Sequence, residues 1–126
     1  MYNLQSSIDE AQITINEPIN LEIQEVDIAD FELIKSANVA CLDADKLQYP
    51  LQLRRWQQGD WFIPFGMKGR KKLSDFFVDK KFNKREKEQL WLLVSGDDIV
   101  WVVGYRVDAR YAVTEKTKRV KIFKVQ

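Results

Sequence analysis

Residues 89–104, QLWLLVSGDDIVWVVG, hold two near-continuous apolar runs separated by four turn-forming residues. Runs of this length around a Ser-Gly-Asp-Asp cluster read as a β-hairpin buried in a core, and place Trp91 and Trp101 in that core. Working outward, residues 120–125 (VKIFKV) suit a closing strand whose lysines face solvent. Upstream, Leu73, Phe76 and Phe77 fall at helical spacing, with Lys72, Asp75, Asp79 and Lys80 for the wet side. Asn83 followed three residues later by Glu86 has the pattern of a capping box and predicts a second short helix over 84–89.

Tyr49-Pro50 resists helix, and Leu51 and Leu53 then alternate into Arg54 as a strand. Nearer the N-terminus, Ile13 and Ile15, then Leu21, Ile23 and Val26, alternate with polar neighbours, so two strands are expected to meet at a turn around Glu17-Pro18. Residues 27–35 suit a short helix with Asp27 or Asp30 at its start, and 39–42 suit a brief strand. The expected fold class is α+β, a mainly antiparallel β-sheet or β-sandwich-like domain with two or three short helices.

At 126 residues and 45% hydrophobic, the chain can bury a core without disulfides or metals. With one cysteine, Cys41, and no histidine, a single chain cannot build a Cys/His zinc site, a His-dependent nucleophile system or an internal disulfide. No metal-binding residues are expected. No phosphate-loop spacing or dinucleotide fingerprint occurs, and Ser95-Gly-Asp-Asp98 reads as a plain hairpin turn. Asp97 with Asp98, and Asp75 with Asp79, are the nearest approaches to paired carboxylates; acids in a turn or four apart on a helix are ordinarily solvated. The N-terminus lacks the charge and apolar pattern of a leader, and no apolar run would span a bilayer, so the expectation is a cytoplasmic protein with no membrane partner.

Charge is distributed unevenly. Residues 50–86 carry ten Lys and Arg against four Asp and Glu, interleaved with Trp56, Trp61, Phe62 and Phe65, whereas residues 1–53 carry two basic and ten acidic side chains. Clustered cations next to aromatic rings describe a surface for a polyanion, against the plainer reading of a solvated face. Gly66 and Gly69 frame a loop, PFGMKGRKK, that permits close backbone approach while Lys68, Arg70, Lys71 and Lys72 project outward. Those four are the leading candidates for phosphate contacts, with Arg54, Lys80, Lys81, Lys84 and Arg85 as a second group. Trp56 and Trp61 are read as packing residues ahead of stacking platforms. Arg106 is set apart as a candidate bidentate partner for a carboxylate such as Asp60.

Several segments together resemble the C-terminal domain of bacterial tRNA(Ile)-lysidine synthetase. They are Pro50-Leu-x-Leu-Arg54, Trp56-x-x-Gly59-Asp60-x-Phe62-x-Pro64-x-Gly66-Met67-x-Gly69, Lys71-Lys72-Leu73-Ser74-Asp75-Phe76-Phe77, Arg85-Glu86 and Val100-Trp101-Val-x-Gly104-x-Arg106. The resemblance covers residues 47–126, the expected main domain. Residues 1–46 match weakly and are expected to be a connecting segment with short strands and a helix, packed on or leading into it. The family commonly has Ile-Pro where this chain has Phe82-Asn83, and Asn can cap in its stead.

The resemblance implies a fragment. Its parent enzyme uses ATP, with a divalent cation, to adenylylate the wobble cytidine of the CAU-anticodon isoleucine tRNA and join lysine to it. It further implies that this chain itself holds no cofactor, lacks the catalytic domain, should be inactive alone and serves as a noncatalytic tRNA-binding module. The implied partners are that tRNA and the N-terminal catalytic domain, with a homodimer as a further candidate. The alternative, from another class, is a structural or dimerisation module that positions the catalytic domain without touching RNA.

Overall fold

The hairpin of residues 89–104 forms the middle layer of the computed structural model, which describes residues 6–126. The strands are β1 (Ser6–Ile8), β2 (Thr14–Ile15), β3 (Leu21–Asp27), β4 (Val39–Asp43), β5 (Leu51–Arg54), β6 (Trp61–Phe62), β7 (Lys71–Lys72), β8 (Leu92–Ser95), β9 (Asp98–Val102), β10 (Arg106–Val107) and β11 (Arg119–Val125). The helices are α1 (Leu73–Asp79) and α2 (Lys84–Gln89). One sheet runs β1-β5-β8-β9-β10, a second β2-β3-β11-β4, and β6 pairs with β7 in a small ribbon. All of these pairings are antiparallel. The fold is thus α+β, mostly antiparallel sheet with two short helices.

The apolar runs of β8 and β9 are near-continuous because both faces of the hairpin are covered. Leu93, Val100 and Trp101 join Ile8, Leu42, Leu51 and Phe123 in the core between the two sheets. Leu92, Val94, Ile99 and Val102 join Phe62, Leu73, Phe76 and Phe77 in a second core beneath α1. Leu93 pairs with Trp101 but Val94 pairs with Ile99, so a β-bulge lies between them. That extra residue lets the adjacent Val100 and Trp101 both serve the inter-sheet core, which strict alternation would forbid. Trp91 is buried in the same core.

The expected four-residue turn is shorter. Ser95 pairs with Asp98, leaving Gly96 and Asp97 as the connection, with Gly96 at φ 58° as a tight hairpin demands. The Ser95 hydroxyl accepts the Gln48 amide at 2.8 Å.

The N-terminal strands appear in the predicted places, and their pairing joins them to the rest of the chain. β1 pairs with β5, and β3 and β4 flank the C-terminal strand β11. The helix expected over 27–35 is only a single 3-10 turn, Ile28–Asp30, capped by Asp27, whose side chain accepts the Ala29 amide. Phe31 is already extended, with φ −82° and ψ 131°. So short a helix needs an apolar surface to pack on, and Leu33 and Ile34 find none, both remaining exposed. Lys121 departs from the solvent-facing expectation for β11. It is buried, with its ammonium donating to the Glu10 carbonyl at 3.0 Å and lying 3.7 Å from Glu25. Lys124 is exposed as expected.

α1 buries Leu73, Phe76 and Phe77, the residues whose spacing predicts it. In α2 the capping box is complete: Asn83 accepts the Glu86 amide at 2.8 Å and Glu86 accepts the Asn83 amide at 3.0 Å. Among the described residues, no helix is long and apolar enough to cross a membrane.

Candidate nucleic-acid interface

The glycine loop is a hairpin tip carried by β6 and β7, where Trp61 pairs with Lys72 and Phe62 with Lys71. Its base is fastened from several sides. Phe62 is fully buried, the Ile63 amide donates to the Asp108 carboxylate at 2.9 Å, and the Phe65 amide donates to the Val107 carbonyl at 3.0 Å. Arg106 donates through Nη2 to the Phe65 carbonyl at 2.6 Å. Gly66 at φ 90° turns the chain outward beyond these ties. A pinned base with an exposed tip presents charges at low ordering cost.

The four leading candidates have different surroundings. Lys68 and Lys72 are exposed. Arg70 is exposed too, and its guanidinium lies over the Trp61 ring, 4.0 Å from the centroid. Lys71 is half-buried and ion-paired to Asp79 at the end of α1. Arg110 also approaches Trp61, at 4.8 Å, so this ring organises two arginines.

The second group divides as well. Arg54 grips Asp60 through two parallel hydrogen bonds, Nη1 to Oδ2 at 2.9 Å and Nη2 to Oδ1 at 3.0 Å. Asp60 Oδ2 also accepts the Gln57 amide at 2.7 Å, so the pair closes the turn before β6. Arg106 was a candidate partner for a carboxylate such as this one; Arg54, at the end of β5 just before the turn, holds it instead, and Arg106 donates to the Phe65 carbonyl. Lys80 and Lys81 follow α1 on the exposed side, Lys81 in the left-handed region at φ 57°. Lys84 sits 3.9 Å from Glu88 on α2, and Arg85 is exposed. Among the described residues, Lys68, Arg70, Lys72, Lys80, Lys81 and Arg85 take part in no ion pair. Three lie on the β6–β7 loop, two just after α1 and one in the first turn of α2, and the Lys71–Asp79 pair ties the base of the loop to the end of α1. This set of exposed cations is termed the cationic ridge.

Two arginines outside the candidate set prove structurally engaged. Arg55 lies 3.7 Å from the Trp91 ring centroid and donates to the Leu90 carbonyl; burial lowers its pKa. Arg110 donates through Nε and Nη2 to the fully buried Asp108 and approaches Asp98 at 3.3 Å. Hydrogen bonding to Asp108 is the main cause raising the Arg110 pKa. The only sequence signal was the alternating Asp108-Ala-Arg110 after the hairpin. Trp56 packs edge-on against Phe77, with centroids 4.9 Å apart, in agreement with its packing assignment. Burial raises the pKa of the Cys41 thiol, the opposite of what an activated nucleophile needs.

These features define a class: an α+β sheet domain with a pinned, cationic loop on one side. A family model described as the TilS substrate C-terminal domain matches residues 51–123, and the chain belongs to that family. The tRNA(Ile)-lysidine synthase of Parabacteroides distasonis is 60% identical over 108 residues, covering 85% of this chain and 25% of that protein. The tRNA(Ile)-lysidine synthase of Bacteroides thetaiotaomicron is 48% identical over 96 residues, covering 76% and 22%. The chain therefore spans about a quarter of the length of these curated relatives.

A crystal structure of the TilS C-terminal domain superposes with a TM-score of 0.79 at 18% identity, covering 97% of this chain and 96% of that one. The N-terminal fragment of the phenylalanyl-tRNA synthetase β-subunit from Pyrococcus horikoshii gives 0.59 at 19% identity, over 69% of this chain and 27% of its own. Both agree on the fold.

Proposed function

We propose that this chain is the noncatalytic, tRNA-binding domain of a tRNA(Ile)-lysidine synthase, and that the ridge of Lys68, Arg70, Lys72, Lys80, Lys81 and Arg85 follows an RNA backbone. The observation that carries this reading is the exposure of these six cations without carboxylate partners. Like charges crowded together raise the free energy of the compact state, and phosphates would relieve that cost. Lys71 and Arg54 support the ridge through Asp79 and Asp60, and Lys84 adds charge at its edge. In this reading the protein works in the cytoplasm.

The ligation of lysine to the wobble cytidine of the CAU-anticodon isoleucine tRNA belongs to the catalytic part of the longer protein, together with ATP and its divalent cation. In this reading the chain itself holds no ATP, in keeping with Gly66 and Gly69 leading into the ribbon strand β7 and with α1 beginning at Leu73 without a glycine-rich turn at its start. This domain holds the tRNA while that chemistry proceeds.

The test is a titration of the purified chain with an isoleucine tRNA transcript at several salt concentrations. Binding that weakens steeply and linearly in log salt is expected. Absence of binding at low salt, together with concentration-dependent self-association, would instead establish a structural or dimerisation module.

A further inference from the structure

Arg106 also lines a groove of about 520 Å³ that the charge pattern does not explain. It opens where the edges of the two sheets meet, between Val39 and Cys41 of β4 and Arg106 and Val107 of β10. Residues 33–37 from the connection before β4, together with Phe65 and Tyr105, complete its lining. Leu33 is 66% exposed and Phe65 54%, so the groove is lined by apolar side chains in contact with water. Its volume is in the range of small-ligand cavities, about 300–1,000 Å³.

The lining contains two cations, Lys35 and Arg106, and no carboxylate. Arg106 spends Nη2 on the Phe65 carbonyl, which orients the guanidinium and leaves its other N–H groups available. Phe65 belongs both to the groove and to the base of the β6–β7 loop, so the groove adjoins the loop that carries Lys68, Arg70 and Lys72. An occupant that matches apolar and aromatic walls, cations at the rim and no acid is a flat ring bearing an anionic group.

Resting on the tRNA-binding reading, we propose that this groove receives one unpaired nucleotide of the bound RNA. Its base lies between Leu33 and Ile34 on one side and Phe65 and Tyr105 on the other, and its phosphate meets Arg106 and Lys35. The ridge then grips a backbone without regard to sequence, and the groove reads a single-stranded end or a flipped base next to it.

The test uses two synthetic RNA hairpins with the same stem, one blunt and one ending in an unpaired 2-aminopurine nucleotide. The chain is expected to bind the second about tenfold more tightly, the scale of one stacked base, with a change in 2-aminopurine emission. Ala37→Phe, which fills the groove from an exposed position, should abolish both the preference and the emission change while leaving blunt-stem binding and the melting temperature unchanged. Reversal of Lys68, Arg70, Lys71 and Lys72 to Glu should weaken both RNAs alike. Equal affinity for the two RNAs with no response to Ala37→Phe would overturn the proposal. Failure of either RNA to bind at low salt would remove the tRNA-binding reading, and this inference with it.

Discussion

The two apolar cores on either side of the β8–β9 hairpin use the same residue types, but the charges outside them are handled differently. Around the sheet of β3, β4 and β11, the cations that lie against the sheet have carboxylate partners, Arg119 with Glu25 at 2.9 Å and Asp45 at 3.0 Å and Lys121 with Glu25 at 3.7 Å. Lys124, at the end of β11, is exposed and unpaired among the described residues. Around α1 and the β6–β7 loop, by contrast, most cations have none. Exposed ion pairs contribute little to stability, about 0–1 kcal/mol each, so compensation on one side and its lack on the other barely alter the fold. What differs is the field presented to solvent, and a field of one sign attracts a polyanion.

If the cores hold the fold and the ridge does not, truncating a core aromatic should produce the largest effect. Trp101→Ala, in the inter-sheet core, and Phe76→Ala, beneath α1, should each cost about 3–5 kcal/mol in denaturant unfolding. A Trp101 variant that unfolds like the parent would break the comparison at once.

Within the cations, Arg54 and Arg85 should separate by role. Arg54 and Asp60 have side chains only 15% and 12% exposed, so Arg54→Ala strands a carboxylate and should cost about 2–3 kcal/mol. Arg85→Ala, on an exposed helix surface, should stay within about 0.5 kcal/mol while weakening tRNA binding. Equal stability losses would mean that Arg85 has a structural partner and would blur the distinction.

A smaller effect should appear in alkali. Burial, then the hydrogen bond to Asp98 at 2.6 Å, pushes the Tyr111 phenol from 10.0 to about 12. Burial, with Glu10 and Glu25 nearby, pushes Tyr49 to about 12 as well. A phenol with a raised folded pKa keeps its proton where the unfolded chain loses it. Its contribution is therefore complete below pH 10 and falls as pH rises toward 12. Tyr111→Phe should flatten, without abolishing, the loss of stability across that window. An unchanged profile in urea titrations at stepped pH would place the titrating groups elsewhere.

The hairpin, α1 and the α2 capping box were legible because each rests on local signals: apolar runs around a turn, helical spacing, and Asn and Glu three apart. The bulge at Val100 was not, because shifting one residue between two cores leaves the composition of the run unchanged. Residues 27–35 were misjudged because a capping Asp, which Asp27 is, says nothing about whether a surface exists for a longer helix to pack on. Lys121 was misplaced for a similar reason, since alternation in β11 cannot reveal Glu25 and the Glu10 carbonyl waiting beside it. At the candidate site, the sequence located the cations but not their partners. Asp60, Asp79 and Trp61 reach Arg54, Lys71 and Arg70 only through the fold, and they divide supporting cations from free ones.

The most direct measurement is therefore the salt dependence of tRNA binding by the variant with Lys68, Arg70, Lys71 and Lys72 all changed to Glu. With Lys71 tied to Asp79, three free cations remain on the loop, and each phosphate contact on a duplex stem contributes about 0.9 to the slope of log affinity against log salt. The slope should flatten by about two to three units with the unfolding midpoint close to that of the parent. A folded variant that retains both the parental affinity and the parental slope would contradict the assignment of this ridge to RNA.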